Sequence, residues 1–308
     1  MREERIIGSL EDAFGADLLA VLKDPDVVEI MLNPDGNLWI DYLSKGTVLS
    51  DILISAPRAR ALITEIAGVT GKTVDEENPD VATVVPIDGS RFQGVLPPLV
   101  EQPSFTLRKR AIHIFTLDDY VAQGNLTENQ RDTLISAIHS RKNIIVAGGT
   151  GSGKTTFTNA LLNVMSNLDE RVLVLEDTKE LQCTAKDKVE LLTSPTRNMQ
   201  ALVRLVLRYR PDRTVLGEVR GGEALDLLKL WNTGHPGGLA TLHADSPLQV
   251  LERLEDLISE VTLQVPKRLI YRSVDMVVYM AREKHQRKVK QICEVNGFEN
   301  GEYILTDV

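Results

Sequence analysis

The stretch Gly148-Gly149-Thr150-Gly151-Ser152-Gly153-Lys154-Thr155 fulfils the pattern G-x-x-x-x-G-K-[ST] of a phosphate-binding loop. Glycines at both ends of the pattern allow tight turns and close approach of the backbone to a ligand. The N–H groups of such a loop form a concave site for phosphate oxygens, the lysine reaches the β- and γ-phosphates, and the threonine hydroxyl binds magnesium. We therefore assign residues 148–155 and the following Thr156 to nucleotide binding, with ATP and Mg²⁺ as the expected ligands.

The sequence on both sides of this loop fits a strand, a loop and a helix in that order. Residues 143–147 form a short apolar run that is typical of a buried parallel strand. Residues 156–165 carry apolar side chains close to a 3.6-residue period. These flanks favour a phosphate loop over a glycine-rich turn in which Lys-Thr occurs by coincidence.

The composition indicates a globular α/β protein of two domains. The chain has 308 residues, of which 43% are hydrophobic and 26% charged. Its net charge of −9 argues against a general nucleic-acid binder, although a local basic patch or pore is compatible with it. No specific nucleic-acid binding is therefore expected.

Cysteine usage and hydropathy indicate a cytoplasmic protein. Cys183 and Cys293 are far apart in sequence, which argues against a zinc site or a disulfide framework. No apolar run approaches 18 residues, and the N-terminus leads into no apolar signal core. Any membrane association would therefore be peripheral.

The pattern along the chain predicts an α+β N-terminal domain over residues 1–105, a linker over 106–118 and an ATP-binding domain over 119–308. From residue 143 onward strands and helices alternate, which predicts a parallel sheet covered by helices. We expect strands at 143–147, 171–176, 213–217 and 238–242, and helices at 154–165, 198–209, 221–231 and 246–258. The tail from 274 to 303 predicts an antiparallel extension.

Acidic residues and a histidine follow three of the predicted parallel strands. Glu176 and Asp177 close one strand, Glu218 closes the next, and His243 ends the last. Sites in open α/β sheets gather at the carboxyl ends of strands, where an acid can orient water or hold magnesium through water. Either acid alone is equally well explained as a solvated strand end, and an isolated histidine is more often structural. Their occurrence together after a phosphate loop favours a site.

Four segments resemble the motifs of the secretion ("traffic") ATPases. Residues 207–224, with Glu218, resemble the Walker B region of that family, residues 232–243 its His box and residues 176–181 its Asp box. Residues 29–36 are similar to a segment of the TrbB-type conjugal-transfer ATPases of type IV secretion systems. The resemblance covers nearly the whole chain.

This resemblance implies a RecA-like C-terminal domain, a smaller PAS-like N-terminal domain and a homohexameric ring that works with other secretion components at the inner membrane. Lys154 and Thr155 match the Walker A pair. Glu218 matches the glutamate that polarises the attacking water, Glu176 the acid near magnesium and water, and His243 the residue near the γ-phosphate.

Arg91 and Arg108 match arginines that reach the phosphate from the N-terminal side, and Arg110 is an equally plausible partner. A planar, permanently charged guanidinium suits the stabilisation of charge on a transferring phosphoryl group. A surface or linker role is the alternative for each of these arginines.

Three other functions remain open at this point. A motor for type IV pilus extension or retraction is disfavoured because the tetracysteine module and an Ala-Ile-Arg-Asn-Leu segment are both absent. A RecA-like DNA helicase would need a basic strand-binding groove, which 5% aromatic content and the acidic balance do not favour. A scaffold that binds nucleotide without hydrolysis is the third.

Overall fold

The computed structural model describes residues 2–110, 114–283 and 286–308, with side chains from Glu4 onward. Residues 111–113 of the predicted linker and 284–285 of the predicted C-terminal extension lie outside this description. The chain divides into two compact units, Met1–Ile112 and His113–Val308. Within the residues described, no helix combines the length and the apolar character that crossing a membrane would require.

The N-terminal unit is a six-stranded antiparallel sheet with two helices, α1 (Arg2–Lys23) and α2 (Ala56–Val69). The strand order is β3-β2-β1-β6-β5-β4. The strands are β1 (Val27–Leu32), β2 (Asn37–Tyr42), β3 (Gly46–Leu53), β4 (Asp80–Val84), β5 (Arg91–Val95) and β6 (Ser104–Arg108). The turn between β1 and β2 closes when Gly36, at φ 83°, donates its N–H to the Asn33 carbonyl at 3.0 Å.

Periodic apolar residues attach both helices to this sheet. Leu10, Phe14, Leu18 and Leu22 recur every four residues along α1 and are buried. Gly15 interrupts α1 with φ 70° and ψ 166°, and Arg58 of α2 donates to the Phe14 carbonyl at this kink over 2.6 Å. The helices and the sheet therefore share one core.

Strand β6 corrects the predicted start of the linker. Residues 106–108 belong to β6, which pairs with β1 on one side and with β5 on the other. Leu107 is fully buried between them. The basic run that follows this short strand favours a linker in the sequence, whereas pairing with β1, more than 70 residues earlier, depends on tertiary structure. At its other end the predicted linker overlaps helix α3, which begins at Leu117.

The C-terminal unit contains an eight-stranded sheet in the order β14-β13-β12-β7-β11-β10-β8-β9. Six strands are parallel: β7 (Ile144–Gly148), β8 (Val172–Glu176), β9 (Lys188–Leu192), β10 (Arg213–Leu216), β11 (Leu239–Leu242) and β12 (Met276–Glu283). Strands β13 (Gln286–Glu299) and β14 (Glu302–Asp307) complete the sheet in antiparallel fashion. The predicted antiparallel tail is confirmed for the pairs β12–β13 and β13–β14, but β12 also pairs with β7 in parallel, which the prediction did not include.

Helices cover both faces of this sheet, and the predicted α/β fold is confirmed. They are α3 (Leu117–Ala122), α4 (Glu128–His139), α5 (Lys154–Ser166), α6 (Met199–Val206), α7 (Glu223–Asn232), α8 (Pro247–Ser259) and α9 (Lys267–Ser273). All residues of β7, β8, β10 and β11 are buried. Buried helix residues cluster on each face, around Phe157 of α5 on one and around Trp231 of α7 on the other.

The strand order determines which loops meet at the carboxyl edge of the sheet. β11 lies between β7 and β10, with Leu242 opposite Ala147 and Ala240 opposite Leu216. β8 lies on the other side of β10, with Leu175 opposite Leu216. The segments after β7, β11, β10 and β8 therefore follow one another along one edge.

Candidate nucleotide site

Two glycines of the 148–155 loop, Gly148 and Gly153, lie where a side chain would not fit. A Cβ atom at Gly148 would lie 2.3 Å from the Met280 carbonyl oxygen and 2.6 Å from the Ser152 hydroxyl. Gly153 ends the loop with φ 91°, a left-handed conformation that favours glycine. The sequence requirement for glycine thus follows from the packing of the loop against β12 and from its turn into α5.

Lys154 begins α5 and folds back over the loop. Its side chain is buried, and Nζ donates to the carbonyls of Gly148 at 2.6 Å and Gly149 at 3.0 Å. Thr155 and Thr156 follow in the first turn of α5, half-buried. The loop, the ammonium group and the positive end of the helix dipole therefore converge at one place, as phosphate binding requires.

The loop also contains a buried polar atom that suits a polar ligand. The Ser152 hydroxyl is buried and has no hydrogen-bond partner among the residues that the structure describes. Buried hydroxyls are normally satisfied. This atom and the glycine cradle fit the phosphate chain of a nucleotide.

His243 lies between Lys154 and Glu218, as the strand order dictates. Its Nδ1 atom is 3.3 Å from the Lys154 Nζ, and its Nε2 atom is 2.9 Å from the Glu218 Oε1. An ammonium group can only donate, so Nδ1 must accept, and the ring proton then resides on Nε2, which donates to Glu218. These contacts assign a neutral Nε2–H tautomer to the imidazole.

Glu218 is held by backbone contacts to the strands on both sides. The preceding Gly217 N–H donates to Leu175 of β8 at 2.8 Å, and the following Val219 N–H donates to Thr241 of β11 at 2.9 Å. The Glu218 side chain is 19% exposed. Its backbone is therefore fixed while its carboxylate faces the open edge of the sheet.

Arg220 forms a hydrogen bond with the second carboxylate oxygen of Glu218. Its Nη2 donates to Oε2 of Glu218 at 2.5 Å, and its Nη1 donates to the Asp177 carboxylate at 3.2 Å. A pocket of about 260 Å³ opens beside this contact. It is lined by Glu218, Val219, Arg220, Leu242, His243 and Arg253.

Glu176 is the most buried acid of the site. Its Oε1 accepts the backbone N–H groups of Glu180 at 2.9 Å and Leu181 at 2.8 Å. Burial raises the pKa of this carboxyl to about 7, and the two N–H donors oppose that shift. A Cβ atom at Gly217 would lie 3.0 Å from the Glu176 Cγ. Glu176 therefore supports both its own loop and the backbone next to Glu218.

The residues present fit magnesium bound together with a nucleotide. In the described parts of the chain, no three His, Cys, Asp or Glu side chains cluster as a metal cage would. Magnesium does not need such a cage, because it keeps several waters and takes its remaining ligands from one or two side chains and substrate phosphates. Thr155 at the start of α5 is placed for that role.

The predicted arginines lie together in the N-terminal unit. Arg91 of β5 and Arg108 of β6 are direct cross-strand partners, and Glu29 of β1 pairs with Arg108 on its other side. Burial raises the pKa of Glu29, an effect that the charge of Arg108 opposes. The sheet therefore places two guanidinium-bearing residues side by side.

Two residues of the site were missed by sequence reasoning. Arg220 stands two positions after Glu218, and that spacing was a usable signal. Arg287 of β13 donates its Nε–H to the Gly151 carbonyl at 3.3 Å, and its Cδ lies 2.9 Å from where a Cβ at Gly153 would be. Nothing local in the sequence indicates that contact, because it depends on β12 pairing with β7.

A largely parallel sheet with a phosphate-binding loop after β7, and acids at the ends of β10 and β8 in the same sheet, is typical of a RecA-like P-loop protein. The profile of the family described as "Type II/IV secretion system protein" matches residues 82–302, which is more than half of the chain. The chain therefore belongs to the type II/IV secretion system protein family.

Individual proteins agree with this assignment. The chain is 44% identical over 301 residues to "Conjugal transfer protein TrbB" of Rhizobium radiobacter, covering 97% of this chain and 93% of that protein. The crystal structure of the VirB11 ATPase of the Brucella suis type IV secretion system, in complex with sulphate, is 27% identical with a TM-score of 0.50, covering 93% of this chain and 97% of that chain.

The pilus retraction motor PilT with bound ADP has a TM-score of 0.64 at 15% identity, covering 97% of this chain and 81% of that chain. At this identity the likeness shows a shared fold only. The predicted membership of the secretion ATPases, with TrbB-type proteins among the relatives, is confirmed.

Proposed function

We propose that the chain is an ATPase that powers assembly or substrate transfer in a conjugative type IV secretion system. The observation that carries this proposal is the series of contacts Lys154–His243–Glu218. Through His243, which follows β11, it joins the phosphate loop to the carboxylate of Glu218, which follows β10. Hydrolysis needs both a phosphate-binding group and an acid that orients water, and this series links them.

The phosphate loop binds ATP in this proposal. The N–H groups of residues 148–155 surround the phosphates, and Lys154 exchanges its contacts to the Gly148 and Gly149 carbonyls for phosphate oxygens. Thr155 is the protein ligand for magnesium, which when bound would neutralise charge on the β- and γ-phosphate oxygens. Thr156 continues the phosphate-binding turn.

The acids and the histidine act on the far side of the γ-phosphate. Glu218 orients the attacking water, and its acceptor capacity is sufficient because a carboxylate offers about four lone-pair sites. His243, which contacts both Lys154 and Glu218, senses whether the γ-phosphate is present. Glu176 acts on the metal through water with its second oxygen, because Oε1 already accepts two backbone N–H groups.

Arginines and neighbouring subunits complete the catalytic cycle. Arg91 and Arg108 of the N-terminal unit approach the phosphates and stabilise transition-state charge. The chain works as a homohexamer with the other components of the secretion system, on the cytoplasmic side and in peripheral contact with the inner membrane. Delivery of arginines by movement of a domain or a subunit couples hydrolysis to conformational change.

The names of the relatives favour conjugation over the alternatives. A protein at 44% identity carries the description of conjugal transfer, whereas the pilus retraction motor is only 15% identical. A pilus motor therefore ranks second. A RecA-like helicase ranks third because the family match is to secretion proteins.

Plasmid transfer between cells tests this function. Donor cells that lack this chain are complemented with the wild-type protein or with Glu218→Gln at equal expression, and the purified proteins are assayed for ATP turnover. We expect transfer and turnover with wild type only. Full transfer by a variant without turnover would refute the role as an energy source, and turnover without restored transfer would refute the conjugative role.

A further inference from the structure

Arg220 joins two carboxylates that come from neighbouring parallel strands. One edge of its guanidinium donates to Oε2 of Glu218 at 2.5 Å, and Nη1 donates to Oδ2 of Asp177 at 3.2 Å. Glu218 follows β10 and Asp177 follows β8, and these strands are paired in register. A single cation therefore bridges the ends of β8 and β10.

The backbone at Arg220 is fixed by the helix that follows. The Glu223 carboxylate at the start of α7 accepts the N–H of Arg220 at 2.7 Å and the N–H of Gly221 at 2.9 Å. The Arg220 side chain itself is 53% exposed. The guanidinium is thus anchored at its base and reaches over the open edge of the site.

Asp177, the second carboxylate that Arg220 contacts, is also held in place. The Thr193 hydroxyl donates to Oδ1 of Asp177 at 3.0 Å, which leaves Oδ2 directed to Arg220. With His243 on Oε1 of Glu218 and Arg220 on Oε2, each oxygen of the glutamate has its own donor. The orientation of the Glu218 carboxylate is therefore defined from both sides.

Charge explains why an arginine is needed here. Glu218 and Asp177 repel each other, and a cation between them removes that repulsion. A planar guanidinium offers separate N–H donors to two carboxylates at once, whereas a lysine ammonium acts as a point charge. An isolated exposed ion pair would contribute little, but a bridge between two fixed acids positions both of them.

We propose that Arg220 is a positioning residue for Glu218. Asp177 fixes the Arg220 guanidinium, and the guanidinium holds the Glu218 carboxylate in the orientation in which Glu218 acts on water. Because this role presupposes that Glu218 acts in hydrolysis, it rests on the proposed function. Arg220 does not contact the nucleotide in this account. Its loss should therefore affect the rate of turnover rather than the binding of ATP.

Kinetics of purified full-length variants provide the first test. We expect Arg220→Gln to lower kcat for ATP by between about tenfold and a hundredfold, as small misplacements of a catalytic group do, with KM and the affinity for a non-hydrolysable ATP analogue changed less than about threefold. Arg220→Lys should recover only part of kcat. The control Arg204→Gln removes another exposed arginine–carboxylate contact, to Asp226, and should behave as wild type.

A double-mutant cycle on thermal stability tests the contact between Arg220 and Glu218 independently of ATP turnover. Melting temperatures are measured for wild type, Arg220→Gln, Glu218→Gln and the double variant. If the two side chains interact, the shift of the double variant differs from the sum of the single shifts. Additive shifts would overturn the proposal, as would unchanged kcat or a rise in KM alone for Arg220→Gln. A wild-type protein no more active than Lys154→Ala would instead overturn the proposed function, and this inference with it.

Discussion

The Nε2 atom of His243 lies 2.9 Å from the Oε1 atom of Glu218, across the carboxyl ends of the adjacent strands β11 and β10. The other ring nitrogen faces Lys154, 3.3 Å from its Nζ. The imidazole thus lies at the carboxyl end of β11, the strand between the phosphate-loop strand β7 and β10, the strand that precedes Glu218. A change in the contacts of Lys154, such as phosphate binding would cause, can therefore be transmitted to Glu218 through the His243 side chain.

Replacing His243 by two different amides separates its two contacts. An asparagine amide lies near the position of Nδ1, and a glutamine amide reaches the position of Nε2. We expect both variants to lower kcat by about tenfold or more, with His243→Gln retaining more activity because it can still donate to Glu218. Steady-state turnover at saturating ATP measures this, with His139→Gln on α4 as the control. Equal activity of all three variants would exclude a role for His243.

Removal of the Lys154 ammonium should act mainly on nucleotide binding. A charge-assisted hydrogen bond contributes about 1.5–3 kcal/mol, so we expect Lys154→Ala to weaken ATP affinity by about tenfold to a hundredfold and to abolish turnover. Titration with a fluorescent ATP analogue measures the affinity. Lys142→Ala, which removes an ion pair to Glu294 at the opposite end of β7, should bind like wild type. Unaltered affinity in Lys154→Ala would contradict phosphate binding by this loop.

Burial of Glu176 predicts a pH dependence of stability. Its folded pKa of about 7 lies above the ordinary 4.5, so the folded state holds a proton that the unfolded state has released between these values. The resulting stabilisation is complete below about pH 4.5 and is lost as the pH rises through 7. Wild type should therefore lose stability relative to Glu176→Gln between pH 5 and 8, on the order of 1–3 kcal/mol.

Chemical unfolding at several pH values, in the presence of a chelator, gives this difference. Glutamine retains an oxygen that can accept the Glu180 and Leu181 N–H groups, so it removes the charge and little else. Glu302→Gln at an exposed position of β14 is the matched control. A pH-independent difference between wild type and Glu176→Gln would show that burial does not perturb this carboxyl.

The paired arginines of the N-terminal sheet should affect turnover more than stability. Arg91 and Arg108 are directly opposite each other, and Arg108 also faces Glu29, whose burial its charge offsets. Their replacement by alanine should lower kcat by about a hundredfold or more if they stabilise the transferring phosphoryl group, while Arg108→Ala should also lower the melting temperature modestly, because Glu29 loses its counter-charge. Arg60→Ala on the exposed side of α2 is the control. Loss of activity in Arg110→Ala alone would assign the role to that residue instead.

The elements around the phosphate loop could be predicted from the sequence because their signals are local. The apolar runs before Lys154, Glu176 and Glu218 correspond to wholly buried strands, and buried parallel strands are apolar on both faces. Thr127 and Gln130, three residues apart, form a capping box at the start of α4, which is a signal contained within four consecutive residues. In each case neighbouring residues determine the structure.

Strand order and long-range contacts could not be predicted in this way. Nothing near His243 in the sequence states that β11 inserts between β7 and β10, although this insertion creates its contact with Lys154. The same limit applies to β6, whose partner β1 is distant in sequence, and to Arg287, which reaches Gly151 through the pairing of β12 with β7. Pairing between distant segments depends on the whole fold and has no local signature.

ATP turnover by size-separated full-length protein, with and without single-stranded DNA, tests the central claim most directly. We expect turnover in a ring-sized fraction, indifference to DNA, and the loss of turnover but not of ATP binding in Glu218→Gln. Activity confined to a monomer, strong stimulation by DNA, or normal turnover in Glu218→Gln would contradict the assignment of this site to a secretion motor.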